Sequence, residues 1–256
     1  MLKPRIIPCL LIQNGGLVKT TNFKHPKYIG DPINAVKIFN EKEVDEITII
    51  DIDATRLNKE PNYSLIESLA SECRMPLCYG GGVTKPEQVE KIVSLGVEKV
   101  AIGAAAIYNP FLIKESSIRV GNQSVVVVLD VKINEVLQEY EIVTHNATKN
   151  TGIHPINFSK NVEQLGAGEL IVNSVDKDGC MNGYDIELIH SIHSSVNIPI
   201  TALGGASSLE DLKLLFNRFK VIGASAGSIF VFKGKYKAVL IQYPTRFEKA
   251  QLYNNI

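Results

Sequence analysis

Met75-Pro76-Leu77-Cys78-Tyr79-Gly80-Gly81-Gly82 and Ile198-Pro199-Ile200-Thr201-Ala202-Leu203-Gly204-Gly205 are the stretches whose reading decides the fold. In each, an apolar run that reads as a buried β-strand leads directly into glycine. Glycine there lets backbone N–H groups approach a bound oxyanion without interference from a Cβ. The two stretches lie about half the chain apart, which suggests one anion site in each half of a two-fold repeated protein. A ligand with phosphates at both ends would suit that layout.

Working outward, apolar β-branched runs recur at Arg5–Ile12, Glu46–Ile52, Met75–Tyr79, Lys99–Ile102, Ser124–Val131, Glu169–Ser174, Ile198–Leu203 and Lys220–Ala224, eight in all. Helical patterns lie between most of them: Asp31–Asn40, Lys85–Leu95, Ile156–Leu165, Ile186–Ser194 and Ser208–Phe216. Asp31, followed by Pro32 at the first helical position, reads as a helix cap. Strands buried on both faces and separated by helices argue for a parallel sheet. Eight such units argue for an α/β (β/α)8 TIM barrel over an open doubly wound sheet. The expectation is one domain over residues 1–256, built of two-fold repeated half-barrels, with a last helix within residues 234–256. Val44-Asp45-Glu46 resembles Gly168-Glu169, and Ala101-Ile102-Gly103-Ala104 resembles Ala224–Ser228. Any α/β barrel has similar strands, so the alanine-rich segments fit either origin; the glycine runs in register favour duplication.

Composition excludes several partners. Lys+Arg 27 balances Asp+Glu 27, so no basic field favours nucleic acid or an anionic membrane. No apolar run is long enough to span a bilayer, and a secretory signal is lacking. Cys9, Cys73, Cys78 and Cys180 lack metal-type spacing and read as reduced thiols of a cytoplasmic protein. Asp176-Lys177-Asp178-Gly179 lacks the remaining ligands of a calcium loop, so neither a metal nor another cofactor is expected.

Arg5-Ile6-Ile7-Pro8-Cys9-Leu10, Asp45-Glu46, Gly80-Gly81-Gly82, Asn150-Thr151-Gly152, Leu165-Gly166-Ala167-Gly168-Glu169, Asp176-Lys177-Asp178-Gly179 and Gly183-Tyr184-Asp185 together resemble HisF, the cyclase subunit of imidazole glycerol phosphate synthase. The resemblance runs from Leu2 to about Phe232. It implies a barrel that docks a HisH-type glutaminase on its amino-terminal face and acts as a lyase and cyclase. Ammonia would pass through the barrel to a bisphosphorylated substrate at the carboxyl-terminal face. Asp130 matches a family acid–base carboxylate. Lys19 matches a lysine of a flexible substrate-covering loop. Gly82, Gly103, Asp178, Gly179, Gly204, Gly205, Gly227 and Ser228 would border the two phosphate sites. Arg5, Glu46, Lys99 and Glu169 match the ring of charges that gates ammonia, and Glu98 an acidic position facing the glutaminase.

Departures from the family gather at the mouth. Alternation along the first strand puts Arg5, Ile7, Cys9 and Leu11 on one face, which the resemblance places inward. Leu11 stands where the family has a second aspartate and can neither give nor take a proton. Loss of one member of an acid–base pair forfeits roughly 10²–10⁴ in rate. Gly103-Ala104 replaces Asn-Thr, Leu203 a serine and Asp53 a threonine. Three functions follow. The first is a HisF-like subunit that delivers ammonia to a phosphorylated or nucleotide-linked sugar, with a third enzyme making acetamidino sugars. The second is a genuine cyclase of histidine biosynthesis, and the third a non-catalytic scaffold that activates its glutaminase. His190 and His193 read as surface histidines, whereas His145 and His154 carry no assignment.

Overall fold

The computed structural model describes residues 3–253; Leu2, where the resemblance begins, and the last three residues lie outside them. The chain starts with β1 (Arg5–Gln13), a hairpin of β2 (Gly16–Thr21) and β3 (Lys24–Gly30), α1 (Pro32–Glu41) and β4 (Ile47–Asp51). Next come α2 (Tyr63–Glu72), β5 (Leu77–Gly80), α3 (Pro86–Ser94), β6 (Lys99–Ile102), α4 (Ala104–Tyr108) and α5 (Phe111–Val120). The long β7 (Val125–Asn134) turns back through β8 (Glu139–Thr144) and β9 (Lys149–Asn150) before α6 (Pro155–Gln164). The remaining units are β10 (Glu169–Ser174), α7 (Ile186–His193), β11 (Ile200–Leu203), α8 (Leu209–Phe219), β12 (Gly223–Ala226) and α9 (Ser228–Val231). A short ladder, β13 (Phe232–Lys233) with β14 (Ala238–Val239), precedes α10 (Arg246–Tyr253).

β1, β4, β5, β6, β7, β10, β11 and β12 pair in parallel in that order, and the β12–β1 pairing closes the ring. This is the (β/α)8 barrel. Period-2 alternation sorts each strand between two cores. Ile6, Leu10 and Ile12 of β1 join the large core beneath the helices. Cys78, Ala101, Val126 and Ile171 form a second cluster inside the lumen, with Ile50, Val128 and Leu203 packed on it. Both strand faces are therefore apolar, which is why the strands read as unbroken runs. Asp31 Oδ1 accepts from Asn34 N–H at 2.8 Å and caps α1, with Pro32 in the first turn.

Three features differ from expectation. The eighth strand begins at Gly223, not Lys220, because α8 runs on to Phe219 and Lys220, at φ +58°, ends it. The β2–β3 hairpin and the β8–β9 extension add antiparallel strands above the ring. The expected last helix is confined to α10, which Lys249 Nζ (2.8 Å) and Tyr253 Oη (3.2 Å) tie to Asp45.

Candidate functional site

A cavity of about 150 Å³ opens at the carboxyl ends of the barrel strands. Lys19, Gly82, Gly103, Asp130, Asp178, Gly179, Gly204, Gly205, Gly227 and Ser228 all line it, together with Leu11 and Leu203. Apart from Asp53, the residues singled out for the mouth thus meet in one place.

The two glycine stretches make matching turns. A Cβ on Gly81 (φ +126°) would lie 2.6 Å from the Asp51 carbonyl oxygen, and one on Gly204 (φ +96°) 2.6 Å from that of Ser174. Only glycine tolerates both the positive φ and the approach. The next residues repeat the pattern, since side chains on Gly82 and Gly205 would run into the carbonyls of Lys59 and Gly183. Gly103 and Gly227 then precede α4 and α9. The correspondence extends the half-barrel repeat from sequence to backbone geometry.

Between the cradles stands Asp130, near the point where β7 leaves the ring. Asn173 Nδ2 donates to its Oδ1 at 2.8 Å. Burial pushes the Asp130 carboxyl up to about 6, against the opposing pull of the Asn173 hydrogen bond. Its surroundings are largely apolar: Leu11, Ile50, Val128, Ile171 and Leu203 share the cavity wall. Cys9 is also there, its thiol pushed up to about 12 by burial and therefore protonated at neutral pH. Two other carboxylates line the cavity, and both are engaged. Asp51 accepts from the N–H groups of Asp53 and Ala54 at 3.0 and 3.1 Å, with its carboxyl raised by burial. Asp178 pairs with Lys19 at 2.7 Å and accepts from Thr20 Oγ1 at 3.0 Å.

Lys19 is 7 % exposed and lies on β2, whose hairpin folds over the mouth. Its aliphatic stem occupies the space a Gly227 side chain would need. Asp53, expected at the mouth with the other departures from the family, is not there. It lies outside the cavity lining, buried, accepting from Asn14 N–H (3.0 Å), Gln13 Nε2 (3.3 Å) and Arg56 Nη2 (2.8 Å). It latches the β1–β2 turn to the loop after β4. Among the histidines, His145 lines the cavity edge-on to Tyr108. His154 Nδ1 accepts from Ile156 N–H at 3.3 Å and caps α6. His190 and His193 pack on Phe219.

At the opposite end of the lumen, Arg5, Glu46, Lys99 and Glu169 form a closed ring. Arg5 Nη1 pairs with Glu46, and Arg5 Nη2 with Glu169 Oε1 at 2.7 Å. Lys99 Nζ bridges Glu46 and Glu169, at 2.8 Å to each. Burial alone would raise the Glu169 carboxyl, but Arg5 and Lys99 outweigh it and hold it below the usual carboxylate range. Thr201 Oγ1 donates to Glu169 Oε1 at 2.6 Å. Glu98, exposed beside Lys99, accepts from Leu77 N–H at 2.8 Å and fixes the start of β5.

Asn173, Thr201 and His145 escaped the sequence reading as site residues. Asn173 lies in the run Glu169–Ser174, where its polarity amid Leu170, Ile171 and Val172 was the available signal. Thr201 offered the same signal in β11.

Known proteins share this arrangement of sequence. Residues 5–237 match the model of the family described as "Histidine biosynthesis protein". A Leptospira interrogans chain described as "Putative imidazole glycerol phosphate synthase subunit HisF" is 54 % identical over 99 % of this chain and 100 % of its own length. A Vibrio vulnificus relative given the same description, as subunit hisF3, is 53 % identical over 97 % of this chain and 96 % of its own. "Imidazole glycerol phosphate synthase subunit HisF" of Lactococcus lactis is 41 % identical over 90 % of this chain and 89 % of its own. The chain therefore belongs to the histidine biosynthesis protein family and, within it, to the HisF group.

Proposed function

We propose that this barrel is the synthase subunit of a glutamine amidotransferase acting in the cytoplasm. A HisH-type glutaminase docks on the amino-terminal face, around Glu98 and the charged ring. Ammonia crosses the ring of Arg5, Glu46, Lys99 and Glu169, traverses the lumen and reaches a phosphorylated or nucleotide-linked sugar at the mouth, with a third enzyme completing an acetamidino sugar. The carrying observation is the contrast between the ends. The ring is complete and fully paired, whereas Asp130 faces a wall containing Leu11 and Leu203.

Asp130 remains suited to proton transfer. With its carboxyl near 6, it is poised to act as an acid or base close to neutral pH. The glycine cradles, with Gly103, Gly227 and Ser228, hold the phosphate groups through backbone N–H donors, and Lys19 neutralises Asp178 so that the cradle does not repel them. No second proton-transfer group stands at position 11. The test supplies purified barrel with ammonium and the bisphosphate substrate of imidazole glycerol phosphate synthase. The expected rate is at least about 10² below that of a genuine cyclase.

Normal turnover would replace this reading with the second, a histidine-pathway cyclase, which the retained Asp130 and both cradles favour. A scaffold that only activates its glutaminase would bind no phosphate at the mouth.

A further inference from the structure

Five of the chain's 27 Lys and Arg residues fall in two short segments, Lys24-His25-Pro26-Lys27-Tyr28 and Lys233-Gly234-Lys235-Tyr236-Lys237. The first belongs to β3 and the second to the β13–β14 hairpin. The fold brings them together: Lys27 Nζ donates to the Lys237 carbonyl at 3.0 Å and lies 5.0 Å from the centre of the Phe232 ring. No Asp or Glu precedes Asp31, and none lies between Asp211 and Glu248, so neither segment carries its own counter-charge. Among the described residues, none of the five lysines pairs with a carboxylate. Apolar surface is interleaved with the charge: Tyr28 is 66 % exposed and Tyr236 89 %, with Val239 and Leu240 exposed beside the hairpin turn. Both segments adjoin the mouth. Phe23, next to Lys24, lines the cavity, as does Ser228, which starts the helical turn leading into β13.

We propose that this corner of the rim is a docking surface for a partner protein with an acidic, aromatic-bearing face. A tyrosine set between lysines, as Tyr236 is, has the make-up of an interface anchor inside a charged rim. Unpaired cations around it steer an anionic partner into place. Other polyanions fit less well. A nucleic acid gains nothing from Val239 and Leu240, and a formal net charge of zero supplies no long-range attraction for one. A bilayer surface is met by an amphipathic helix or a basic segment beside a lipid anchor, whereas this patch is built from two β-hairpins. A partner seated here stands beside the cavity opening. Identifying it with the ammonia-receiving third enzyme rests on the proposed function; the acidic face does not.

The test is fluorescence anisotropy of labelled poly-L-glutamate and of a labelled random glutamate–tyrosine copolymer, titrated with the full chain at low salt. The proteins are wild type, Tyr236→Ser, a patch variant and a control. The patch variant carries Lys233→Gln, Lys235→Gln and Lys237→Gln. The control removes the same charge from exposed helix positions, as Lys37→Gln, Lys114→Gln and Lys160→Gln. Wild type should prefer the copolymer, and its binding should weaken as salt is raised. The patch variant should bind both polymers roughly tenfold more weakly, with the control unchanged. Tyr236→Ser should lose the preference for the tyrosine-containing polymer. Equal weakening in patch variant and control, no binding of either polymer by wild type, or tighter binding of phosphatidylglycerol vesicles or oligothymidine than of the copolymer would overturn the assignment. None of those outcomes touches ammonia passage through the lumen, which the cyclase assay tests separately.

Discussion

Replacing Lys99 by methionine tests the charged ring directly. Lys99 Nζ donates to Glu46 Oε1 and Oε2 at 2.9 and 2.8 Å and to Glu169 Oε2 at 2.8 Å. The Glu46 and Glu169 side chains are only 5 % and 7 % accessible. Without Lys99, Arg5 alone must neutralise two buried anions. Hydrogen bonds to charged groups contribute about 1.5–3 kcal/mol each, so losing one per carboxylate removes about 3–6 kcal/mol. Methionine returns some of this by keeping the apolar stem and sparing the ammonium its desolvation. The expected net loss at pH 7 is about 3 kcal/mol, at the low end of what breaking a buried pair costs.

The loss should depend on pH with a definite sign. In the wild type the Glu169 carboxyl is held below its unfolded range. That contribution is complete above the unfolded carboxyl value of about 4.3 and disappears as pH falls through the folded one. In Lys99→Met the crowded carboxylates share a proton more readily, so acidification relieves the variant while it weakens the wild type. Urea unfolding at pH 7 and about pH 3.5, below the unfolded carboxyl value, read as midpoint shifts at a common slope, measures both effects. A double variant with Glu169→Gln, which leaves Arg5 paired with Glu46, should recover at least half of the loss. A deficit below about 1 kcal/mol at pH 7, or one that grows on acidification, would refute the reasoning. Charge reversal at the same residue should also uncouple glutamine hydrolysis from ammonia use in the complex with the glutaminase.

Other perturbations address the mouth. Gly204→Ala places a methyl 2.6 Å from the Ser174 carbonyl at φ +96° and should cost about 1–3 kcal/mol in urea unfolding while abolishing phosphate binding; an unaffected variant would mean the turn relaxes freely. Asp53→Ala removes the acceptor for Asn14, Gln13 and Arg56 and should expose the β2–β3 hairpin to limited proteolysis, with the barrel still folded by circular dichroism. Leu11→Asp sets a second carboxylate into the wall shared with Asp130, so the Asp130 midpoint, followed by carbon-detected NMR, should rise above its value of about 6. Cyclase activity should stay incomplete in that variant, because Gly103, Ala104 and Leu203 still differ; full recovery would make those positions neutral.

The barrel was legible because its strands are buried on both faces, so each appears as an uninterrupted apolar run. The added hairpins were harder to see. Asn14-Gly15 is the two-residue turn signal of a hairpin, and both residues adopt positive φ, +50° and +78°; but β3 is Lys24–Gly30, polar and largely exposed, with no alternation to register. Asp53 misled because a sequence places a residue beside the mouth without saying which way its carboxylate turns. The charged ring had no local signature at all. Arg5, Lys99 and Glu169 start three different strands and Glu46 directly precedes a fourth, and only the resemblance connected them before the fold did. Asn173 was missed for a related reason: its significance is the hydrogen bond it donates to Asp130, a property of its neighbours and not of its residue type.

The two ends of the lumen answer differently to substitution, and that bears on how such a barrel changes chemistry. In the ring each ion is paired with the two of opposite sign, so a single replacement leaves a buried ion stranded and is disfavoured whatever the substrate. At the mouth the departures run from polar to apolar at strand ends. Leu203 packs on the lumen cluster of Cys78, Ala101, Val126 and Ile171, and Leu11 lines the same wall. Burying apolar surface there stabilises the barrel as it removes a proton-transfer group. The backbone turns are insensitive to such changes, because their geometry is set by glycines whose positions no side chain could occupy. On the proposed reading the acceptor chemistry can therefore drift while the backbone turns and the ring stay fixed, and the residues that redefine it are expected among the side chains between the cradles, with Asp130 and its partner Asn173 foremost.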